Sequence, residues 1–189
     1  MNVLETLSII GDRFNKLKFT WGVGGSLLLN FYQLIDKPND IDILVSETNA
    51  IQLNEVISFI GISKQAKRST PFLTTYFTKY SIQNIDIDIM GGFAIQHTEG
   101  VYKLSLKSES IVAHKKINGV DIPLCSLEDW YILYCLIPGK QEKADLIENH
   151  LKSKGITHPR LLEEALLQPL PFDVKERVVN LLMLKRRNN

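Results

Sequence analysis

The sequence predicts an α+β fold in which a mixed β-sheet is flanked by helices and followed by a helical C-terminal part. Two observations carry this prediction. Residues 1–125 mix a few helical patterns with many short strand-like runs, whereas only helical patterns follow Ser126. We therefore expect a core at residues 1–125 and a helical part at residues 126–189 that packs on the core as one compact unit.

The N-terminal third alternates helical and extended patterns. Apolar residues recur at a helical period at the start of the chain, and short β-type runs follow. The elements predicted here are a helix at 2–16, a strand at 19–23, a helix at 27–34, a strand at 41–45 and a helix at 48–60.

The middle of the chain is richer in strands. A segment dense in Thr, Tyr and Phe is followed by a strictly alternating one, which Gly91-Gly92 ends. The basic cluster His114-Lys115-Lys116 is assigned to a loop or a helix end. The predicted strands are 74–80, 82–90, 93–96, 101–105 and 120–124.

The C-terminal helices begin with a capping signal. Ser126-Leu-Glu-Asp129 has the form of a capping box, and glycines and prolines separate the later helical patterns. The predicted helices are 127–137, 140–153, 159–167 and 173–186.

Composition excludes several classes of protein. Of the 189 residues, 22 are Lys or Arg and 21 are Asp or Glu, so the net charge of +1 gives no general argument for a nucleic-acid or membrane partner. Two cysteines, Cys125 and Cys135, are too few for a structural zinc site or a disulfide framework. No signal peptide or membrane span is visible, and we expect a cytoplasmic protein.

A glycine-rich turn lies between the second and third predicted elements. Gly24-Gly25-Ser26 ends a strand and opens a helix. Glycines let backbone N–H groups approach a phosphate, and Ser26 can either add a hydroxyl or cap the helix. Taken alone, such a turn is more often only a turn.

Two predicted strands carry carboxylates at alternate positions. Asp40 and Asp42 share one face of their strand, and Asp86 and Asp88 share one face of theirs. A solvated face would explain either pair alone. If the strands are neighbours, however, the charges converge, and two carboxylates about 4 Å apart repel by roughly 4 kcal/mol at an effective dielectric of 20. Such a cluster either takes up a proton or holds a divalent cation, and its hard oxygen ligands suit Mg²⁺.

These motifs together resemble the signature of the nucleotidyltransferase superfamily related to DNA polymerase beta. In that superfamily a helix-opening Gly-Ser precedes a strand with Asp-x-Asp, and a neighbouring strand supplies a third carboxylate. The resemblance covers about residues 18–153. Its nearest forms are the minimal nucleotidyltransferases, the antibiotic adenylyltransferases and the nucleotidyltransferase toxins of abortive-infection systems.

The resemblance implies roles for particular residues. Asp40, Asp42 and Asp88 match the catalytic metal ligands, with Asp86 as the alternative third carboxylate. The remaining matches concern the nucleotide: Gly24, Gly25 and Ser26 match the phosphate-binding turn, and Lys143 matches a basic helix position for which Lys140 could substitute.

The resemblance also implies a reaction. A nucleoside monophosphate would pass from an NTP to an acceptor hydroxyl with release of pyrophosphate, supported by two Mg²⁺ ions, with Mn²⁺ as a substitute. A small molecule, a tRNA end or a protein side chain would each fit as acceptor, and a homodimer or a toxin–antitoxin pair stays open. The family often has a lysine where this chain has Tyr134-Cys135-Leu136. The alternative is therefore a catalytically silent nucleotide sensor or toxin–antitoxin partner.

Overall fold

A seven-stranded mixed sheet is the centre of the fold. The computed structural model describes residues 2–38, 40–66 and 69–188, with side chains through residue 184. The strands are β1 (Trp21–Val23), β2 (Ile41–Val45), β3 (Ile62–Lys64), β4 (Tyr76–Ile82), β5 (Ile85–Gly91), β6 (Phe93–His97), β7 (Gly100–Leu104), β8 (Ile111–Ile117) and β9 (Val120–Cys125). The sheet order is β3-β4-β5-β2-β1-β9-β8, and β6 pairs with β7 as a separate hairpin. Two pairs are parallel, β2 with β5 and β1 with β9.

Helices cover the sheet and complete the C-terminal part. They are α1 (Val3–Phe14), α2 (Gly25–Phe31), α3 (Ala50–Ser58), α4 (Leu127–Leu136), α5 (Gln141–Lys154), α6 (Pro159–Leu166) and α7 (Phe172–Asn188). Ser126 caps α4, and its side chain accepts a hydrogen bond from the Asp129 N–H as the capping signal predicts. No helix in the described part of the chain is long and apolar enough to cross a membrane. The predicted α+β class, with a mixed sheet and flanking helices, is confirmed.

The central strands β2 and β5 place the carboxylates. Their isoleucines at 41, 43, 87 and 89 are fully buried, which orients the intervening aspartates toward the opposite face. The parallel register sets Asp42 directly beside Asp88. The two predicted Asp-bearing strands are therefore neighbours.

The alternating segment 82–90 is not one strand. A hairpin turn at Gln83 and Asn84 joins β4 to β5, and both residues have positive φ, 52° and 66°. Two such residues form the tight turn that matches the twist of antiparallel strands. Ile82 and Ile85 flank the turn, and the apolar pattern on its two sides therefore predicted a single strand.

The assignment of His114-Lys115-Lys116 to a loop or helix end is wrong. These residues lie in β8, which pairs with β9 and is an edge strand of the sheet. Exposed basic side chains are common on edge strands because they discourage pairing with a further chain. The other edge strand, β3, was not predicted, since its three residues are all exposed and show no alternation.

Candidate active site

Three carboxylates converge on one face of the sheet. Asp42 and Asp88 are partners in the β2–β5 register, and Asp40 precedes Asp42 by two residues. One oxygen from each of the three groups lies within 4.8 Å of the others, and all three residues are half-buried. The structure thus joins the three aspartates that the sequence predicted as metal ligands.

The turn at Gly24 and Gly25 abuts this cluster. The Gly24 N–H donates to the Asp42 carbonyl at 2.9 Å, and α2 begins at Gly25. A Cβ on Gly25 would lie 1.7 Å from Asp42 Oδ2, and one on Gly24 would lie 2.1 Å from the Trp130 ring. Gly25 also has a φ of +60°. Glycine is therefore required at both positions, because the Asp42 carboxylate lies against Gly25 and the Trp130 indole lies against Gly24.

Ser26 has a different role from a helix cap. Gly24 is the N-cap of α2, and the helix has no side-chain cap. Ser26 is buried, and its Oγ donates to Asp40 Oδ1 at 3.3 Å. The Ser26 hydroxyl therefore orients the Asp40 carboxylate.

Burial and mutual repulsion perturb the acidic groups. Burial, followed by the charges of Asp40 and Asp88, raises the pKa of Asp42 to about 7, against the opposing effect of Lys143 and Lys79. Burial also raises the pKa of Asp88, although its hydrogen bond with Lys79 opposes this. The carboxylates are thus held close together where their charges are incompletely compensated.

Lys79 is the site residue that the sequence did not reveal. Its Nζ lies 2.9 Å from Asp88 Oδ1 and 2.7 Å from Asp88 Oδ2. The β4–β5 hairpin creates this pair, because Lys79 and Asp88 are cross-strand partners. Recognition of Gln83-Asn84 as the turn would have predicted it.

Asp86 is separated from the cluster. It lies on the same face of β5 as Asp88, but it is exposed and forms an ion pair with Lys64 of β3. Of the two candidates for the third carboxylate, the structure brings only Asp88 to Asp40 and Asp42.

Both predicted lysines face the same cleft. Lys140 and Lys143 line a cavity of about 360 Å³ together with the three aspartates. Lys143 Nζ lies 5.3 Å from the centroid of the Tyr134 ring. Burial and the nearby Lys140 lower the pKa of Lys143, while Asp42 and Asp40 oppose the shift. The remaining lining residues are Ser69, Phe72, Thr74, Phe77, Lys79, Met90, Phe93, Trp130, Tyr134 and Ile137.

The donor set of the cluster fits a divalent cation. Carboxylate oxygens are hard ligands, the type that Mg²⁺ and Mn²⁺ take in proteins. A cation bound among Asp40, Asp42 and Asp88 would also relieve the repulsion that raises the pKa of Asp42.

Comparisons with known proteins concern the fold of the chain. No protein-family model matches the sequence, and no curated protein sequence matches it. Among solved structures, TM1012 from Thermotoga maritima, a protein classed with the nucleotidyltransferases, is 27% identical to this chain. The match covers 79% of this chain and 92% of that one, with a TM-score of 0.60. The chain belongs to the nucleotidyltransferase superfamily.

Two further structures share the nucleotidyltransferase fold with this superfamily member. ANT(2″)-Ia, solved in complex with adenylyl-2″-tobramycin, is 12% identical over 98% of each chain, with a TM-score of 0.56. The lincosamide antibiotic adenylyltransferase LnuA, solved with lincomycin, is 16% identical over 76% of this chain and 95% of its own, with a TM-score of 0.50.

Proposed function

We propose that this protein is a metal-dependent nucleotidyltransferase that transfers an NMP from an NTP to an acceptor hydroxyl. The convergence of Asp40, Asp42 and Asp88 within 4.8 Å beside the Gly24–Ser26 turn is the observation that supports it most strongly. Mg²⁺ is the proposed cofactor, and Mn²⁺ can replace it. We place the reaction in the cytoplasm, where NTPs are available and where the free thiols of Cys125 and Cys135 are stable.

The proposed roles follow the positions of the side chains. Asp40, Asp42 and Asp88 hold the metal, which neutralises charge on the triphosphate and on the reacting oxygens when it is bound. The Gly24–Ser26 turn binds the phosphates of the donor through the backbone at the start of α2, since the Gly24 N–H is already bonded to the Asp42 carbonyl, and the ammonium groups of Lys140 and Lys143 bind them as well.

The transfer breaks one bond and forms one bond. The acceptor oxygen attacks the α-phosphorus of the NTP, the bond to the β-phosphate oxygen breaks, and pyrophosphate leaves. Asp88, the carboxylate on the β4 side of the cluster, accepts the proton of the attacking hydroxyl.

The first test compares aspartates that differ only in their placement. Asp42→Asn and Asp88→Asn should each reduce pyrophosphate release from NTP and Mg²⁺ at least a thousandfold, because each removes a charged ligand. Asp86→Asn is the matched control, since Asp86 lies on the same strand outside the cluster. Calorimetric titration with each of the four NTPs, with Mg²⁺ or EDTA, identifies the donor. Full activity of both Asp42→Asn and Asp88→Asn would refute the proposed site.

A catalytically silent nucleotide sensor, or the partner of a toxin–antitoxin pair, is the second candidate. The ion pair between Lys79 and Asp88 favours it, because the lysine occupies both oxygens of the third carboxylate. A sensor would bind NTP in the calorimetric titration. In the activity assay it would release no pyrophosphate in the presence of any acceptor.

A further inference from the structure

The cleft has two sides that meet at the carboxylates. Lys140 and Lys143 lie on one side together with Trp130 and Tyr134, and Lys79 lies on the other. Across the sheet, Lys79 of β4, Asp88 of β5, Asp42 of β2 and Gly24 after β1 follow one another as neighbours. The Gly24 side continues into α2 and toward the lysines of α5. The Lys79 side is built by β4, by the end of β5 and by the segment 71–75.

Aromatic and apolar side chains cover the Lys79 side. Phe77 and Met90 are cross-strand partners on the same face as Lys79 and Asp88, one row farther along the strands. Above them Phe72 packs edge-to-face on Phe93, with ring centroids 6.2 Å apart. We call these four residues, Phe72, Phe77, Met90 and Phe93, the aromatic wall; all four line the cavity.

Backbone hydrogen bonds hold the outer part of this wall in place. The Leu73 N–H donates to the Ala94 carbonyl, and the Gln96 N–H donates to the Pro71 carbonyl, both at 2.8 Å. Phe72 therefore lies on a segment that pairs with β6. A preformed apolar surface of this kind binds a flat or aliphatic group at low entropic cost.

The charges on this side are nearly balanced. On the two strands that carry Phe77 and Met90, the charged residues that line the cavity are Lys79 and Asp88, and they are paired with each other. Lys79 Nζ also lies 5.3 Å from the centroid of the Phe77 ring. A cationic ligand on this side would meet the ammonium group of Lys79. The carboxylates of Asp40 and Asp42, which line the same cavity beyond Asp88, are the groups to which the proposed metal would bind.

Resting on the proposed function, we propose that the aromatic wall and Lys79 form the acceptor subsite. The acceptor is a small molecule with an apolar ring or chain next to its hydroxyl and with no positive charge. The donor phosphates take the lysine side of the cleft, so the hydroxyl approaches from the Lys79 side, next to Asp88. Lys79 sets specificity by rejecting cations, and the wall supplies affinity.

Three probes that share a ring and a hydroxyl test the charge preference. They are benzyl alcohol, 4-(hydroxymethyl)benzoate and 4-(aminomethyl)benzyl alcohol, which are neutral, anionic and cationic. Binding to the full chain is followed by ligand-observed NMR with Mg²⁺ and a non-hydrolysable ATP analogue. Transfer is followed as acceptor-dependent pyrophosphate release. Tobramycin serves as a polycationic comparison. We expect the neutral and anionic probes to bind at least tenfold more tightly than the cationic probe.

Two variants assign this preference to the wall and to Lys79. Lys79→Gln should reduce the anion-to-cation ratio about tenfold, and a ratio is insensitive to any general loss of turnover. Lys64→Gln is the matched control, because Lys64 also pairs with an aspartate of β5 but lies outside the cavity. Phe72→Ser should weaken all three probes while leaving NTP affinity unchanged, since Phe72 is partly exposed and its loss leaves the core intact.

The outcomes separate this inference from the proposed function. The expected order of binding, altered by Lys79→Gln but not by Lys64→Gln, supports the subsite. Equal or tighter binding of the cationic probe or tobramycin, or no binding of any probe, overturns it even if pyrophosphate release occurs with another acceptor. If the probes bind in the expected order but no pyrophosphate is released under any condition, the proposed transferase activity is refuted. The inferred ligand preference of the subsite is then still supported.

Discussion

At the scale of single residues, the site depends on the absence of side chains as much as on their presence. Gly25 lies so close to Asp42 that a methyl group would displace the carboxylate. Gly24 allows the Trp130 ring to pack on the backbone at the start of α2. The signature glycines therefore set the positions of the Asp42 carboxylate and of the Trp130 ring.

Gly25→Ala should abolish activity without unfolding the protein. The substitution places a Cβ 1.7 Å from Asp42 Oδ2, so we expect at least a hundredfold loss of pyrophosphate release and weaker Mn²⁺ binding. Its backbone cost is about 1 kcal/mol, because the residue has a positive φ. Gly119→Ala is the control, since Gly119 has a φ of +81° and open space around it. Similar melting temperatures with activity lost only in Gly25→Ala are expected. Undiminished Mn²⁺ binding in Gly25→Ala would contradict the explanation.

Residue-level prediction from the sequence reached the cluster, the glycine turn and the two lysines of the cleft, but it missed Lys79. Alternation predicted the pairs Asp40–Asp42 and Asp86–Asp88, because alternate carboxylates in apolar strands share a face, and the family resemblance favoured Asp88 over Asp86. The choice between Asp86 and Asp88 depends on which strand flanks β5 and in what register, and neither is encoded in the alternation itself. Lys79 was missed because its pairing with Asp88 depends on the strand register, which the turn at Gln83 and Asn84 sets.

At the scale of elements, the C-terminal helices are joined through one carboxylate. Glu148 of α5 accepts hydrogen bonds from Tyr131 of α4 at 2.8 Å and from Arg177 Nε of α7 at 2.6 Å. Arg177 also donates to Asp145 at 2.6 Å. Burial alone would raise the pKa of Glu148, but hydrogen bonds from Lys152, Tyr131 and Arg177 outweigh it and lower the pKa.

Glu148→Gln should destabilise the protein by about 2 kcal/mol at neutral pH, because it removes one of the two charged partners of the half-buried Arg177 and leaves only Asp145. This corresponds to a fall of about 4–8 °C in melting temperature for a chain of this size. The folded pKa is lowered, so the difference between wild type and variant should vanish as the pH falls through the carboxyl range. Glu163→Gln, an exposed site on α6, is the control in calorimetry. An equal melting temperature for both variants would count against the network.

Most elements were predictable because their patterns are strong and local. The helices at 127–136 and 141–154 follow a clear capping signal and a Pro-Gly break. The strands β3 and β8 were not predicted. All three residues of β3 are exposed, and β8 has basic side chains at the sheet edge. Their assignment depends on pairing with β4 and β9. The boundary between residues 1–125 and 126–189 stays a prediction.

At the scale of the whole molecule, the acidic cluster costs stability in the metal-free state. The pKa of Asp42 is raised to about 7 from an ordinary value of 3.8. Between these values the folded protein holds a proton that the unfolded chain does not, so stability falls as the pH rises through this window. The fold tolerates this cost in order to keep the carboxylates together.

Asp42→Asn should therefore stabilise the metal-free protein in a pH-dependent manner. The gain should be small near pH 4, grow as the pH rises and level off above about pH 7, with an upper limit of about 4 kcal/mol. Thermal unfolding in EDTA from pH 4 to pH 8 measures it, and Asp86→Asn should show no such gain. Mg²⁺ should reduce the difference because it stabilises only the wild type. A gain that shrinks with rising pH would refute this interpretation.

The separation of the aromatic wall from the acidic cluster has a consequence for how this protein can diversify. Asp42 and Asp88 lie on central strands with neighbours on both sides, where a changed register would move both carboxylates. Phe72 lies instead on a connecting segment anchored to the β6 hairpin. In the proposed acceptor subsite, point mutations in that segment would change the surface that contacts the acceptor without moving Asp42 or Asp88.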